Sequence, residues 1–211
     1  MVNNANLDLL PDRFGSADQA VLAVTASVDL NSDVMLGGYI LFSREHEHYR
    51  ISRPASTGEY PRVEFNDRGI LSVNSDFKFC GTYCTADTAG ARRLAVEHGE
   101  QALYRNFFAP ACLARMIRQD LSLRACAGYW LAPDSAVLKF RSHGDEKAYE
   151  LMAQPSRIED ALISETRSMS SFIQQVAKAG DLLVLRTSHF PGLWASLGAV
   201  PVDWLAPVQA N

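Results

Sequence analysis

Cysteine thiols offer the widest choice of chemistry in this sequence, because a thiolate can attack carbon centres, bind soft metals or form disulfides. The four cysteines are Cys80, Cys84, Cys112 and Cys126. Three residues separate Cys80 from Cys84, which is not the CxxC spacing of redox motifs and zinc knuckles. With no second pair at a knuckle distance, we expect no structural zinc site. The composition favours reduced thiols inside a core.

A cysteine–histidine hydrolase site is one catalytic alternative. It would use Cys84 as the nucleophile and His98, His143 or His189 as the general base. No family signature surrounds the thiol, and His98 falls on a predicted helix face where packing is the commoner role. His143 falls in a predicted surface turn. We keep Cys84 with His98 as the alternative catalytic pair.

The run Glu45-His46-Glu47-His48 contains a second set of metal-binding side chains. On a strand, His46 and His48 would share one face. A third convergent ligand is not evident, so we expect only adventitious surface binding of a metal.

Lysine and serine offer a further, weaker alternative. Lys78 could form a dyad with Ser43 or Ser75, although a solvent-facing lysine is far more common. The serine-rich run at residues 168–171 falls inside a predicted helix and has no glycines of a nucleophile elbow. The phosphate-binding patterns GxxxxGK[ST] and GxGxxG do not occur.

Composition indicates one large globular domain. The chain has 211 residues, of which 47% are hydrophobic and 21% charged, and a net charge of −4. The absence of a Lys/Arg run disfavours a nucleic-acid partner. No apolar run approaches the roughly 20 residues that a bilayer requires, so we expect no membrane partner. Residues 1–6 show no signal-peptide pattern, which predicts a cytoplasmic protein or one exported without a cleaved signal.

Hydrophobic periodicity predicts both strands and helices along the chain. Helices are predicted over 17–27, around Leu94, His98 and Ala102, from Pro110 to about residue 121, and over 156–180. At the start of the first helix, Ser16 and Gln19 could form a capping box. Strands are predicted over 37–42, 49–52, 77–83, 125–131, 136–141 and 182–186. We expect a flexible arm over residues 1–15, a main domain over 16–155, and a helix-strand extension over 156–211 packed on the same domain.

Residues 35–140 resemble the JAB/MPN-type (JAMM) zinc hydrolases, and most of all a bacterial branch found at the C-terminal ends of polymorphic toxins. The matching motifs are Gly-Gly-Tyr-Ile at 37–40, Gly-Thr-Tyr at 81–83, Phe-x-Pro-Ala-x-Leu-Ala at 108–114, and the hairpin from Gly-Tyr-Trp-Leu at 128–131 to Val-Leu-Lys-Phe at 137–140. The resemblance implies an α+β, cytidine-deaminase/JAB-like fold. In that fold, helices flank a mixed, mostly antiparallel sheet.

The resemblance also implies where the zinc site would lie. The general-base Glu of that family falls on Met35, its two zinc-binding His on Cys84 and Ala86, and its Ser and Asp on Ala109 and Cys112. None of the five matches, so the resemblance implies a degenerate site without metal. It also brings Cys84 near Cys112, which leaves a redox couple, a soft-metal site or a nucleophile with a spare thiol as rival interpretations.

The expected function is therefore that of a non-catalytic pseudoenzyme that binds a protein partner and needs no cofactor. Its role would be that of an accessory or immunity component of a bacterial toxin or secretion system. Four apolar residues of the tail could anchor such a partner or pack in the core: Phe190, Leu193, Trp194 and Trp204. The alternative is a cysteine-dependent hydrolase or toxin that uses Cys84.

Overall fold

The structure, a computed structural model, describes residues 7–56, 76–86, 98–123, 127–133, 136–186 and 194–197. Its helices are α1 (Ala17–Thr25), α2 (His98–Arg105), α3 (Pro110–Leu123), α4 (Glu146–Ala153), α5 (Pro155–Ile163) and α6 (Met169–Ala179). Its strands are β1 (Leu36–Ser43), β2 (His48–Ile51), β3 (Ala55–Ser56), β4 (Phe77–Thr85), β5 (Ala127–Leu131), β6 (Ala136–Ser142), β7 (Gly180–Arg186) and β8 (Ala195–Ser196).

The strands form one mixed sheet in the order β2-β1-β4-β5-β6-β7-β8, with β3 also paired to β1. Strands β4 and β5 run parallel, and the other described pairs are antiparallel. Parallel neighbours need a crossover connection, and here that connection contains α2 and α3. The expected fold class, a single α+β domain with a mostly antiparallel sheet, is confirmed.

Each face of the sheet is covered by its own apolar cluster, because successive side chains of a strand point to opposite faces. In β5, Tyr129 and Leu131 join Ala20, Val21 and Val24 of α1 in what we call the α1 core. Trp130, between those two strand residues, packs on the opposite side with residues of α2 to α6 in what we call the main core. The candidate site lies in the main core.

Helix α1 begins as its sequence predicts. The Ser16 hydroxyl caps the helix by accepting a hydrogen bond from the Gln19 amide at 3.1 Å. The Gln19 side chain accepts in turn from the Gly15 amide at 3.0 Å, one residue before the position that a capping box would use. The helix ends at Thr25, two residues earlier than expected.

The described part of the N-terminal segment runs along the sheet edge. Leu9 and Phe14 bridge to Ser52 and Tyr49, beside and within β2. The Leu10 amide donates to the Ile51 carbonyl at 2.9 Å. Of the arm that we expected to be loose, residues 9–14 are therefore held against β2 by backbone pairing.

The tail contains two helices where the sequence predicted one continuous helix over 156–180. Between α5 and α6 the chain turns at Glu165, whose φ is 57°. Ser168 then caps α6 by accepting from the Ser171 amide at 3.2 Å. The serine-rich run therefore opens a helix and does not lie in the middle of one, as we had expected. Strand β7 pairs with β6 from Gly180 to Arg186, so the tail extends the same sheet.

No helix in the described ranges combines the length and the apolar character needed to cross a bilayer.

Candidate functional site

Of the five positions at which the resemblance places a zinc site, four are buried in the main core and one packs against it. Cys84 is near the end of β4 and Ala86 follows that strand, while Ala109 precedes α3 and Cys112 lies in its first turn. Met35 precedes β1 and packs against the same cluster. The pairing of β1 with β4, with Gly37 opposite Cys84, brings the chain before β1 alongside the chain after β4. All five residues that the resemblance grouped therefore belong to the main core or pack against it.

Two of the five positions are in direct contact. The Cys112 thiol donates a hydrogen bond to the Cys84 sulfur, and the two sulfurs are 2.6 Å apart. Both cysteines are free thiols. Cys84 is fully buried and Cys112 is 4% exposed. The two sulfurs thus face each other inside the core, one carried by a strand and the other by a helix.

A cation completes the pair. The Arg115 guanidinium donates to the Cys84 sulfur at 2.9 Å, and the same nitrogen lies 3.7 Å from the Cys112 sulfur. Cys112 and Arg115 are three residues apart on α3, a spacing that places two side chains on one helix face. We call these three residues the thiol–arginine cluster.

The cluster separates the acidities of the two thiols. Burial alone would raise the Cys84 pKa, but the hydrogen bond from Cys112 and the charge of Arg115 outweigh it and leave that pKa below its ordinary value. The Cys112 pKa lies well above its ordinary value, first because its proton is held by Cys84 and second because it is buried. Cys84 is therefore the more acidic thiol of the pair, and Cys112 is the one that keeps its proton to higher pH.

The main core that contains the two cysteines is rich in aromatic rings. Phe108 packs on Trp130 with 5.8 Å between ring centroids, and Phe107 on Phe172 at the same distance. A cysteine with no exposed surface cannot meet a bulky substrate carbonyl in this conformation. The arrangement supports chemistry between the two thiols more directly than attack on a large substrate.

Arg115 is the residue of the cluster that sequence reasoning missed. Its i, i+3 spacing from Cys112 was visible in the sequence and is the one local signal that could have indicated it. Its contact with Cys84, by contrast, spans 31 positions and depends on how α3 docks against β4.

A second polar group, also missed, lies on the α1 face of the sheet. Asp18 accepts hydrogen bonds from the Tyr129 hydroxyl at 2.6 Å and from the Lys139 ammonium at 2.9 Å. That ammonium lies 5.5 Å from the ring centroid of Trp194. Burial and the Asp18 carboxylate raise the Tyr129 pKa. These contacts tie α1 to β5 and β6, and they place Trp194 against the sheet.

Of the three histidines proposed as general bases, the structure describes the side chain of His143. His98 is the first residue of α2, and its side chain lies outside the described part, as do all atoms of His189. The His143 Nε2 atom lies 3.2 Å from Asp181 Oδ1. Both residues line a surface hollow of about 470 Å³ beside β7. Phe190, Leu193 and Trp204 also lie outside the described residues.

The remaining described candidates lie around the β1–β2 turn and the start of β4. Lys78 is exposed, Ser43 donates to Asp76 at 2.7 Å, and Ser75 is outside the described residues. The rings of His46 and His48 stack with 5.8 Å between centroids. Within the described ranges, no three His, Cys, Asp or Glu side chains converge in a way that could hold a metal ion.

No family model matches the chain, and searches of the curated proteins and of the solved structures find no match to it either. The relationship to the JAB/MPN-type hydrolases stays a prediction that rests on the sequence motifs.

Proposed function

We propose that this protein is a non-catalytic, JAB-like pseudoenzyme that acts by binding another protein. The resemblance places it as an accessory or immunity component of a bacterial toxin or secretion system. The observation that supports the proposal most is that positions 35, 84, 86, 109 and 112 share a packed apolar core. A zinc hydrolase needs an open, polar cavity at these positions.

The side chains at those positions suit packing better than metal binding. A catalytic zinc takes three protein ligands and keeps a fourth position for water. Met35, Ala86 and Ala109 supply none of the usual ligands. Cys84 and Cys112 point their sulfurs at each other, 2.6 Å apart, and not around a shared point. The Arg115 guanidinium, 2.9 Å from Cys84, adds a positive charge that would repel a metal cation.

Metal analysis of the purified protein tests the loss of zinc chemistry. We expect a zinc content far below one ion per chain, unchanged by Cys84→Ser. About one zinc per chain that disappears in the Cys84→Ser variant would overturn the proposal, because a filled site holds a single tetrahedral ion.

Quantitative affinity capture tests the binding role. The tagged protein and a Cys84→Ala/Cys112→Ala variant would be recovered from cells that make the protein, and each complex would be sized in solution. We expect both to retain the same partner in a fixed ratio. The absence of any stoichiometric partner, or hydrolytic turnover that disappears with Cys84, would contradict a non-catalytic binding role.

A cysteine-dependent hydrolase is the second candidate, and the contact between Arg115 and Cys84 favours it because it stabilises a thiolate. Alkylation of the native protein near neutral pH, followed peptide by peptide, separates the two candidates. A catalytic Cys84 would be modified before the protein unfolds. A core Cys84 would be modified only after unfolding. Cys80 is the internal comparison, since burial raises its pKa to about 11.

A further inference from the structure

We propose that Cys84 and Cys112 are an oxidant-responsive pair, which closes to an intramolecular disulfide when a water-sized peroxide reaches the core. This inference goes beyond the proposed function and does not depend on it. A pseudoenzyme and a hydrolase could both contain such a modification site.

The geometry of the two thiols carries the proposal. Their sulfurs are already 2.6 Å apart, on a strand and on a helix that pack against each other. A disulfide needs an S–S distance of about 2.05 Å, which two sulfurs that already face each other in contact can reach without a large rearrangement. Two side chains already in contact lose little further freedom when they are joined.

Arg115 supplies the charge that the first step needs. Peroxides react with thiolates and not with neutral thiols. The guanidinium at 2.9 Å from Cys84, together with the proton that Cys112 donates, stabilises the thiolate at Cys84. Cys112 then stands in contact with the oxidised sulfur as the resolving thiol.

The reaction balances with hydrogen peroxide as the named oxidant. The Cys84 thiolate attacks one peroxide oxygen, the O–O bond breaks, and the departing hydroxide takes up a proton and leaves as water. Cys84 is then a sulfenic acid. The Cys112 sulfur attacks the Cys84 sulfur as its proton leaves, the S–S bond forms, and the S–O bond breaks to release a second water. The two sulfurs lose two electrons and the peroxide gains them.

Burial predicts which oxidants can act. Cys84 has no exposed surface and Cys112 is 4% exposed, so a molecule the size of water reaches them more easily than an aromatic or peptide disulfide does. Cys80 is only half-buried, but it lacks a described thiol neighbour and its pKa is raised to about 11 by burial. We therefore expect peroxide to select the pair over Cys80.

Disulfide mapping after peroxide treatment tests the proposal. Native protein would be treated with hydrogen peroxide, quenched with an alkylating reagent in denaturant, digested and analysed by mass spectrometry. We expect a linked peptide containing Cys84 and Cys112, which a dithiol reductant removes. In Cys112→Ser, we expect a sulfenic acid on Cys84, which a dimedone probe added together with the denaturant traps.

The Arg115→Gln variant tests the role of the charge. We expect it to form the disulfide several-fold more slowly near neutral pH, while Arg118→Gln, an exposed position on the same helix, keeps the wild-type rate. Circular dichroism would show that both variants are folded. A wild-type protein that forms no Cys84–Cys112 link, at peroxide concentrations that oxidise the unfolded chain, would overturn the proposal. So would preferential modification of Cys80. Partner binding is measured separately, so either proposal can fail alone.

Discussion

Arg115 donates a hydrogen bond to the sulfur of Cys84 at 2.9 Å. Cys112, one turn earlier on the same helix, donates to the same sulfur. Helix α3 thus brings a proton donor and a cation to one atom of strand β4. A buried thiolate requires such compensation, because removing a charge from water is costly. The acid–base behaviour of Cys84 should therefore depend on Arg115.

Replacing Arg115 with Gln should raise the Cys84 pKa. Burial disfavours the ionised thiol, and the variant lacks the positive charge that offsets this effect. Ultraviolet absorbance of the thiolate across a pH titration measures this change. Arg118→Gln is the matched control on an exposed turn of α3. Identical titrations of the Arg115 variant and the wild type would show that the guanidinium does not set the acidity of Cys84.

The contribution of the thiol pair to stability should be greatest near the ordinary thiol pKa of 9.0. As pH rises toward that value, folded Cys84 is already ionised while the unfolded thiol still holds its proton, so stability rises. Above pH 9.0, both thiols ionise in the unfolded chain. In the folded protein, Cys112 keeps its proton because its pKa is raised, so stability falls as the pH rises further. Urea unfolding of the wild type and of Cys84→Ala/Cys112→Ala, compared across pH, isolates this contribution. A difference that does not vary with pH would contradict it.

Single truncation of either thiol should have a modest effect on stability. Cys84→Ala and Cys112→Ala remove one sulfur atom each, and we expect each to cost roughly 1 kcal/mol of unfolding free energy. Denaturant unfolding measures both. A cost several times larger would mean that the pair holds α3 on the sheet, beyond filling space.

Gly38→Val should be far more damaging than either cysteine change. A β carbon at Gly38 would lie 2.5 Å from Ser52 Oγ and from two atoms of Tyr83. It would disturb the hydrogen bonds from Tyr39 N to Ser52 Oγ at 2.9 Å and from the Tyr83 hydroxyl to the Ser52 carbonyl at 2.7 Å. We expect a loss of about 3 kcal/mol or more, or failure to fold.

Gly15→Ala is the control for that substitution. The nearest atom to an added β carbon there is the end of the flexible Gln19 side chain, at 3.2 Å. Thermal unfolding of both glycine variants provides the measurement. Similar losses at the two positions would show that the close approach at Gly38 does not limit stability.

Asp18 and Lys139 should show measurable coupling, because their ion pair at 2.9 Å is shared with the Tyr129 hydroxyl and both side chains are mostly buried. A double-mutant cycle with Asp18→Asn and Lys139→Met should give an interaction of roughly 1 kcal/mol. The cycle uses unfolding free energies of all four proteins. Strict additivity would show that the ion pair between Asp18 and Lys139 does not help to hold α1 on the sheet.

The strands were predictable because their side chains follow local rules. The apolar segment at β1, its partner β2 and the β5–β6 hairpin all lie where alternation and turn residues indicated them. The break between α5 and α6 was not predicted, since the apolar spacing of residues such as Ile158, Leu162 and Met169 continues across it. The capping serine at Ser168 was the local signal for a new helix.

The site was predictable only in part. The resemblance indicated which positions would meet, but neither periodicity nor composition relates Cys84 to a cysteine 28 positions away. The Asp18–Lys139 ion pair spans 121 positions, and no sequence pattern specifies such a separation. Both contacts depend on the packing of helices on opposite faces of the sheet.

The parallel pairing of β4 with β5 has a consequence for the order of folding. The β5–β6 hairpin joins neighbouring segments, whereas β4 and β5 are separated along the chain by the connection that contains α2 and α3. Contacts between distant segments form more slowly than local ones. A newly synthesised chain should therefore keep Cys84 and Cys112 apart until a late stage of folding. A premature disulfide between either thiol and another cysteine would trap the chain before its central strands had paired.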